Sequence, residues 1–137
     1  MIRLYHGSTC EIEQIDLNMS KPNKDFGRGF YLSKEVSQAL ELAEYKAFQI
    51  GGTPVINTYE FDDSYLNNGI LNVMKFDSYS KEWAQFVFDN RTSEDGGSTH
   101  QYDIVVGPMP MIGWDCRFVG LLKTKYPLKP LLKGCNI

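Results

Sequence analysis

No stretch of the 137 residues stays apolar long enough to span a bilayer, and the amino terminus, MIRLYHGSTC, lacks the apolar block of a secretory leader. From both absences we expect a cytoplasmic chain with no membrane partner. Basic charge is scarce: 14 Lys and Arg against 17 Asp and Glu leave a net charge of −3. That argues against a surface built to coat nucleic acid. The three cysteines, Cys10, Cys116 and Cys135, are odd in number and have no metal-ligand spacing, so free thiols and no metal site are expected. His6 and His100 are the only histidines, and His100 sits in a polar Gly-Ser loop. A nuclease or glycosidase needs paired histidines or carboxylates close together, and that class is disfavoured.

What remains is the composition of one ordinary globular domain, with 42% hydrophobic and 23% charged residues. Residues 2–5, IRLY, read as a short strand ending at His6-Gly7-Ser8. Residues 9–26 are rich in turn formers, and a second strand surrounds Tyr31. Ser33 reads as an N-cap for a helix over 34–49, where Val36, Ala39, Leu40, Ala43 and Ala47 recur at helical spacing until Gly51-Gly52. Residues 54–61 alternate like a strand, residues 71–76 do so less clearly, and 102–106, YDIVV, form another. Between them residues 79–90 predict a second helix with Trp83 and Phe86 on its buried face. Without a regular βαβ repeat, this pattern predicts an α+β domain. After Pro108 it changes: residues 109–137 mix three prolines and three glycines with no sustained period. We therefore expect a core over 1–108 and an atypical tail over 109–137.

The most unusual stretch is DFGRGFYLS, residues 25–33, where two glycines stand just before an aromatic pair. Each glycine costs backbone entropy and packs no side chain, so the pair needs a reason. A turn and a bulge at Gly27 and Gly29 would be the plain one. His6 alone, Tyr31 alone and Gly7-Ser8 alone are each more often structural than functional. Their order is more specific: strand, His-Gly-Ser, irregular loop, then Gly-Arg-Gly-Phe-Tyr-Leu-Ser leading into a helix.

That order resembles the ADP-ribosyltransferase superfamily, whose poly-ADP-ribose polymerase branch has a strand-end His-Gly followed by a Gly-x-Gly-x-Tyr strand. More closely, the chain resembles a bacterial family of domains of unknown function within that superfamily. The likeness rests on Leu4-Tyr5-His6-Gly7-Ser8, the segment Asp25 to Ser33, Gln38-Ala39, Pro54-Val55, Asn57 and Tyr59. Trp83, Asn90-Arg91, Tyr102-Asp103-Ile104-Val105 and Gly107-Pro108 complete it. The resemblance implies split antiparallel sheets around an NAD cleft, with flanking helices, and NAD as substrate. It implies that His6 bonds the adenosine-side ribose, that the Gly7 backbone pairs with the nicotinamide carboxamide, and that Ser8 is the next polar contact. Tyr31 would stack on the nicotinamide ring, Gly27 and Gly29 would let the chain pass close to the dinucleotide, and Arg28 or Lys24 would meet the pyrophosphate. One departure is Leu42, before Ala43, where the family often has tryptophan.

ADP-ribosyl transfer also requires a late residue, usually glutamate, that stabilises the oxocarbenium-like transition state. Residues 109–137 hold a single acid, Asp115, and no glutamate or glutamine. With chosen codons, a shifted reading of this tail can be written as an amphipathic, charged string. The expectation is therefore a frameshift near Pro108 that removed the third motif, against the alternative of a genuine tail packed over the core. The sequence thus leads us to expect an NAD-binding, mono-ADP-ribosyltransferase-like domain with impaired catalysis, its acceptor unknown. The competing expectation is a non-catalytic interaction module on the same fold.

Overall fold

The computed structural model describes residues 1–12, 15, 26, 27, 29–94, 100–111, 114–121, 127–131, 135 and 136. Within them the chain forms β1 (Ile2–Ser8), β2 (Phe30–Ser33), α1 (Val36–Ile50), β3 (Val55–Phe61), a 3-10 turn at Asp63–Leu66 and β4 (Val73–Lys75). It continues with α2 (Lys81–Arg91), β5 (Ile104–Met111), β6 (Trp114–Leu121), β7 (Leu128–Pro130) and β8 (Cys135–Asn136). The strands join one sheet in the order β4-β5-β6-β2-β1-β3-β7, with β8 also pairing with β3. Every pairing is antiparallel except β4 with β5. The expected α+β class stands.

The sheet is curled, because strands far apart in its order meet in one core. Leu4 of β1, Phe30 and Leu32 of β2, Tyr59 and Phe61 of β3, Ile104 of β5, Val119 of β6 and Leu128 of β7 share a single buried cluster, with Val73 of β4 packed against it. Strand alternation sends the neighbours of these residues to the opposite face. There Tyr31 and Val105 join Phe26, Phe76 and Val87 in a second cluster beneath α2. Helix α1 covers another part of that outer face, burying Ala39 and Ala43.

The two helices begin differently. Ser80 caps α2 as a serine ordinarily does, its Oγ accepting the Trp83 N–H at 3.0 Å. Ser33, read from the sequence as the cap of α1, remains in β2. Its Oγ accepts the Glu35 N–H at 3.0 Å and donates to Gln38 Oε1 at 2.6 Å, while Glu35 holds the N-cap position without a side-chain bond. Trp83 and Phe86 are not fully buried; they pack at the margin of the second cluster. Trp83 ties α2 to the sheet by donating its indole N–H to the Pro108 carbonyl at 2.8 Å.

The largest departure from the sequence reading lies after Pro108. Residues 109–111 continue β5, and residues 114–121 form β6, which sits between β5 and β2. The stretch expected as an appended tail therefore supplies a strand from the middle of the sheet. Its prolines hid this. Pro108 and Pro110 are two apart, so their nitrogens share one side of β5, and β4 runs beside β5 only along Ile104 to Val106. Proline is tolerated at such an edge, where no ladder bond needs its N–H. Among the described residues no helix is long and apolar enough to cross a membrane.

Candidate functional site

β1 pairs with β3 along its whole length, from Ile2↔Phe61 to Ser8↔Val55, and β2 pairs with β6 from Phe30↔Leu121 to Ser33↔Phe118. Between β1 and β2 the register holds at one position, Tyr5↔Ser33. Beyond it the two backbones part, and the His6 imidazole bridges the parting. Its Nδ1 lies 2.7 Å from the Tyr31 carbonyl oxygen. A carbonyl only accepts, so Nδ1 carries the proton, and in the neutral ring Nε2 is the acceptor nitrogen. The ring is buried, stacked on Phe30 at 4.1 Å between centroids and 21° between planes.

The Tyr31 side chain goes the other way. It is 5% exposed and packs in the outer cluster, with the Phe26 ring stacked at 5.8 Å. Its hydroxyl accepts the Phe26 N–H at 2.9 Å and donates to the Gly27 carbonyl at 2.5 Å. His100 completes the fastening. The Tyr102 N–H donates to its Nδ1 at 3.0 Å, so Nε2 carries the proton and donates to the Phe26 carbonyl at 2.7 Å. The Phe26-Gly27 backbone is thus held by two side chains far apart in sequence. Gly27 has φ 102°, a conformation that side chains rarely adopt, and this accounts for one of the two glycines before the aromatic pair. Nothing in the sequence near His100 foretold this role, which depends on tertiary contact with residues 74 positions earlier.

Gly7 answers to α1. A Cβ built on it would stand 2.0 Å from the Ala39 carbonyl oxygen and 2.8 Å from the Ala43 nitrogen. The missing side chain is what lets the helix backbone lie against β1. The same helix sends Lys46 to the Gly7 carbonyl, with Nζ donating at 2.8 Å. Ser8 is partly buried, its Oγ 3.8 Å from the Cys10 sulfur.

Opposite His6 in the β1–β3 register stands Asn57, which is buried. Its Oδ1 accepts the Ile12 N–H at 2.9 Å and its Nδ2 donates to the Cys10 carbonyl at 3.0 Å. Two residues on, the Tyr59 hydroxyl donates to the Ile12 carbonyl at 2.7 Å. Burial pushes the Tyr59 phenol well above its ordinary range, and the Cys10 thiol adds in the same direction. Asn57 and Tyr59 together fix the segment leaving β1. An asparagine inside a strand is a poor strand former, and that oddity is the sequence signal for a side chain serving the backbone.

Of the residues singled out from the sequence, His6, Gly7, Ser8 and Tyr31 meet around the β1–β2 parting. Against the expectation that they line one cleft and meet a common ligand, the rings of His6 and Tyr31 face opposite sides of the sheet, because strand alternation in β2 puts Tyr31 on the face away from Phe30, on which His6 stacks. Arg28 and Lys24 lie outside the described residues. Asp115 falls in β6, paired with Pro110 at the end of the β5–β6 ladder away from β2. Among the described residues no group of three His, Cys, Asp or Glu could hold a metal ion.

Compared with known families, the chain matches over residues 2–110 the family described as Protein of unknown function (DUF3990), and it belongs to that family. No curated protein and no solved structure matches it. The family match ends within β5, whereas the sheet continues through β6, β7 and β8.

Proposed function

With membership of this family as the premise, we propose that the domain is ADP-ribosyltransferase-like and binds NAD weakly at the parting of β1 and β2, with little or no turnover. The observation that carries this reading is the parting itself: two strands that each pair fully on their outer sides hold one register position between them and then diverge at His6-Gly7-Ser8. His6, Gly7 and Ser8 stand at that place and the Tyr31 main chain meets it through its carbonyl, while the Tyr31 ring turns to the opposite side of the sheet. In the neutral His6 ring the Nδ1 bond makes Nε2 an acceptor, the role that a ribose hydroxyl donor requires. The nicotinamide side runs against this reading, because the buried Tyr31 ring does not share a face of the sheet with the His6 ring. The Tyr31 hydroxyl is engaged by Phe26 and Gly27, and Lys46 donates to the Gly7 carbonyl. Binding of a nicotinamide ring on Tyr31 requires those contacts to yield, and for this reason the affinity is proposed to be low. Turnover is proposed to be poor because residues 109–137 offer no glutamate for the third motif.

Incubation of the purified protein with NAD, following nicotinamide release alongside a thermal-shift titration, tests both parts. Stabilisation by NAD without release is the expected result. Efficient release would contradict impaired catalysis, and absence of any NAD effect would remove the NAD reading.

A second reading, a non-catalytic interaction module, is supported by those same internal contacts. The Tyr31 hydroxyl and the Gly7 carbonyl both have protein partners, and the space a Gly7 side chain would need is taken by α1.

A further inference from the structure

His100 is engaged through both ring nitrogens at once. Nδ1 accepts the Tyr102 N–H at 3.0 Å, and Nε2 donates to the Phe26 carbonyl at 2.7 Å. The ring therefore joins the chain entering β5 to the Phe26-Gly27 backbone, and a neutral imidazole is required for it. In the charged ring both nitrogens carry protons, and Nδ1–H then points at another donor, the Tyr102 N–H. His6 differs, since its Nδ1 already donates to the Tyr31 carbonyl and still does so when the ring is charged. The His100 ring is half-buried, so a proton reaches it from solvent. It lies on the face of Phe86, with centroids 4.8 Å apart and planes 29° apart, and an aromatic face attracts a cation. The main obstacle to protonation is thus at Nδ1.

We propose that His100 is an acid-released latch: its protonation breaks the join between Tyr102 and the Phe26-Gly27 backbone. The charged ring can keep Phe26 or lose it, but it no longer ties that backbone to β5 through Tyr102, whereas the Tyr31 hydroxyl ties it to β2 throughout. The surrounding charges act in the same direction. On α2, Glu82 and Asp89 flank Phe86 and are exposed, Asp89 accepting from Gln85 at 2.7 Å, while Lys81 and Arg91 lie further round the axis. At the entry to β5 stand the Tyr102 phenol and Asp103, whose Oδ2 accepts the Asn72 N–H at 2.9 Å. On the Phe26 side the Tyr31 phenol is uncharged at these pH values. Among the described residues the nearby acids favour an imidazolium and move release toward neutral pH, and none of them relieves the opposition at Nδ1. The latch does not depend on the NAD reading and involves no ligand.

The test is a titration of the 15N-labelled protein from about pH 8 to about pH 5, across the ~6.5 of a free histidine. Long-range imidazole spectra report the His100 protons. Amide exchange, referred to the unfolded-chain rate at each pH, gives the opening constant at Tyr102. The expected result is an Nε2–H tautomer at the alkaline end. Below pH ~6.5 the Tyr102 opening constant should rise by up to about tenfold per pH unit, as one proton taken up on opening requires. His100→Asn keeps an acceptor near the place of Nδ1 and removes the titrating group, so its Tyr102 opening constant should not depend on pH. If that variant does not fold, the wild-type titration decides alone. An Nδ1–H tautomer at the alkaline end overturns the latch. So does a Tyr102 opening constant that stays level through the acid end, or a pH dependence that survives in folded His100→Asn.

Discussion

His6 and Tyr31 are joined by ring nitrogen and main-chain oxygen, with Nδ1 donating to the Tyr31 carbonyl at 2.7 Å while their rings face opposite sides of the sheet. This bond spans the gap where β1 and β2 cease to pair. His6→Ala leaves the Tyr31 carbonyl without this donor and is expected to cost about 1–3 kcal/mol for that group alone. His6→Asn, which can restore a donor, should recover part of the loss. Urea denaturation of the three proteins measures both effects, and equal stability of wild type and His6→Ala would refute the structural role of the bond.

Tyr31→Phe keeps the ring and removes the hydroxyl that serves Phe26 and Gly27. The Phe26 N–H and the Gly27 carbonyl then lose a partner in a buried place, each at about 1–3 kcal/mol. Amide exchange at Phe26 should accelerate relative to strand amides of β3. If exchange there is unchanged, the hydroxyl does not hold the segment.

Gly7→Ala places a methyl group against the α1 backbone, 2.0 Å from the Ala39 carbonyl oxygen before any adjustment. A helix backbone does not yield as a side chain does, so the loss should meet or exceed the ~1–3 kcal/mol usual for overpacking. The expected readout is a lowered melting temperature with weakened protection of α1 amides. A neutral Gly7→Ala would show that α1 can lift off β1 at no cost.

Tyr59 gives the fold an alkaline limit. An unfolded tyrosine loses its proton near pH ~10. Folded Tyr59 keeps its proton beyond that point, held by burial and, secondarily, by Cys10. Above pH ~10 the unfolded chain therefore binds fewer protons than the folded one, and stability falls as pH rises; below it, this contribution is fully present. Tyr59→Phe should flatten the decline above pH ~10 while costing about 1 kcal/mol at neutral pH through the lost bond to the Ile12 carbonyl. A variant with the same alkaline slope as wild type would assign the limit to another group.

The legible part of this fold was the part governed by local period. Ala39, Ala43 and Ala47 marked α1, and the alternation through Val55 to Phe61 marked β3, because helix and strand each repeat over a few residues. β6 escaped because Pro108, Pro110, Gly113 and Gly120 interrupt the surrounding pattern, and because its place beside β2 is a long-range fact. In the candidate site, His6, Gly7 and Tyr31 stood out in the sequence as residues, but their partners did not. The reason for Gly7 lies in α1, the Tyr31 hydroxyl turns back to Phe26 and Gly27, and His100 reaches Phe26 across the fold. Motif order identifies which residues matter together, while the groups they touch are settled by packing.

The proposed NAD site is tested most directly by a titration of the 15N-labelled protein with NAD and with nicotinamide, followed by two-dimensional NMR. The account predicts saturable shifts at the amides of Gly7, Ser8, Phe30 and Tyr31, on either side of the β1–β2 parting, with nicotinamide reproducing the subset near Gly7 and Tyr31. Shifts confined to other parts of the sheet, or no shifts at saturating NAD, would contradict it.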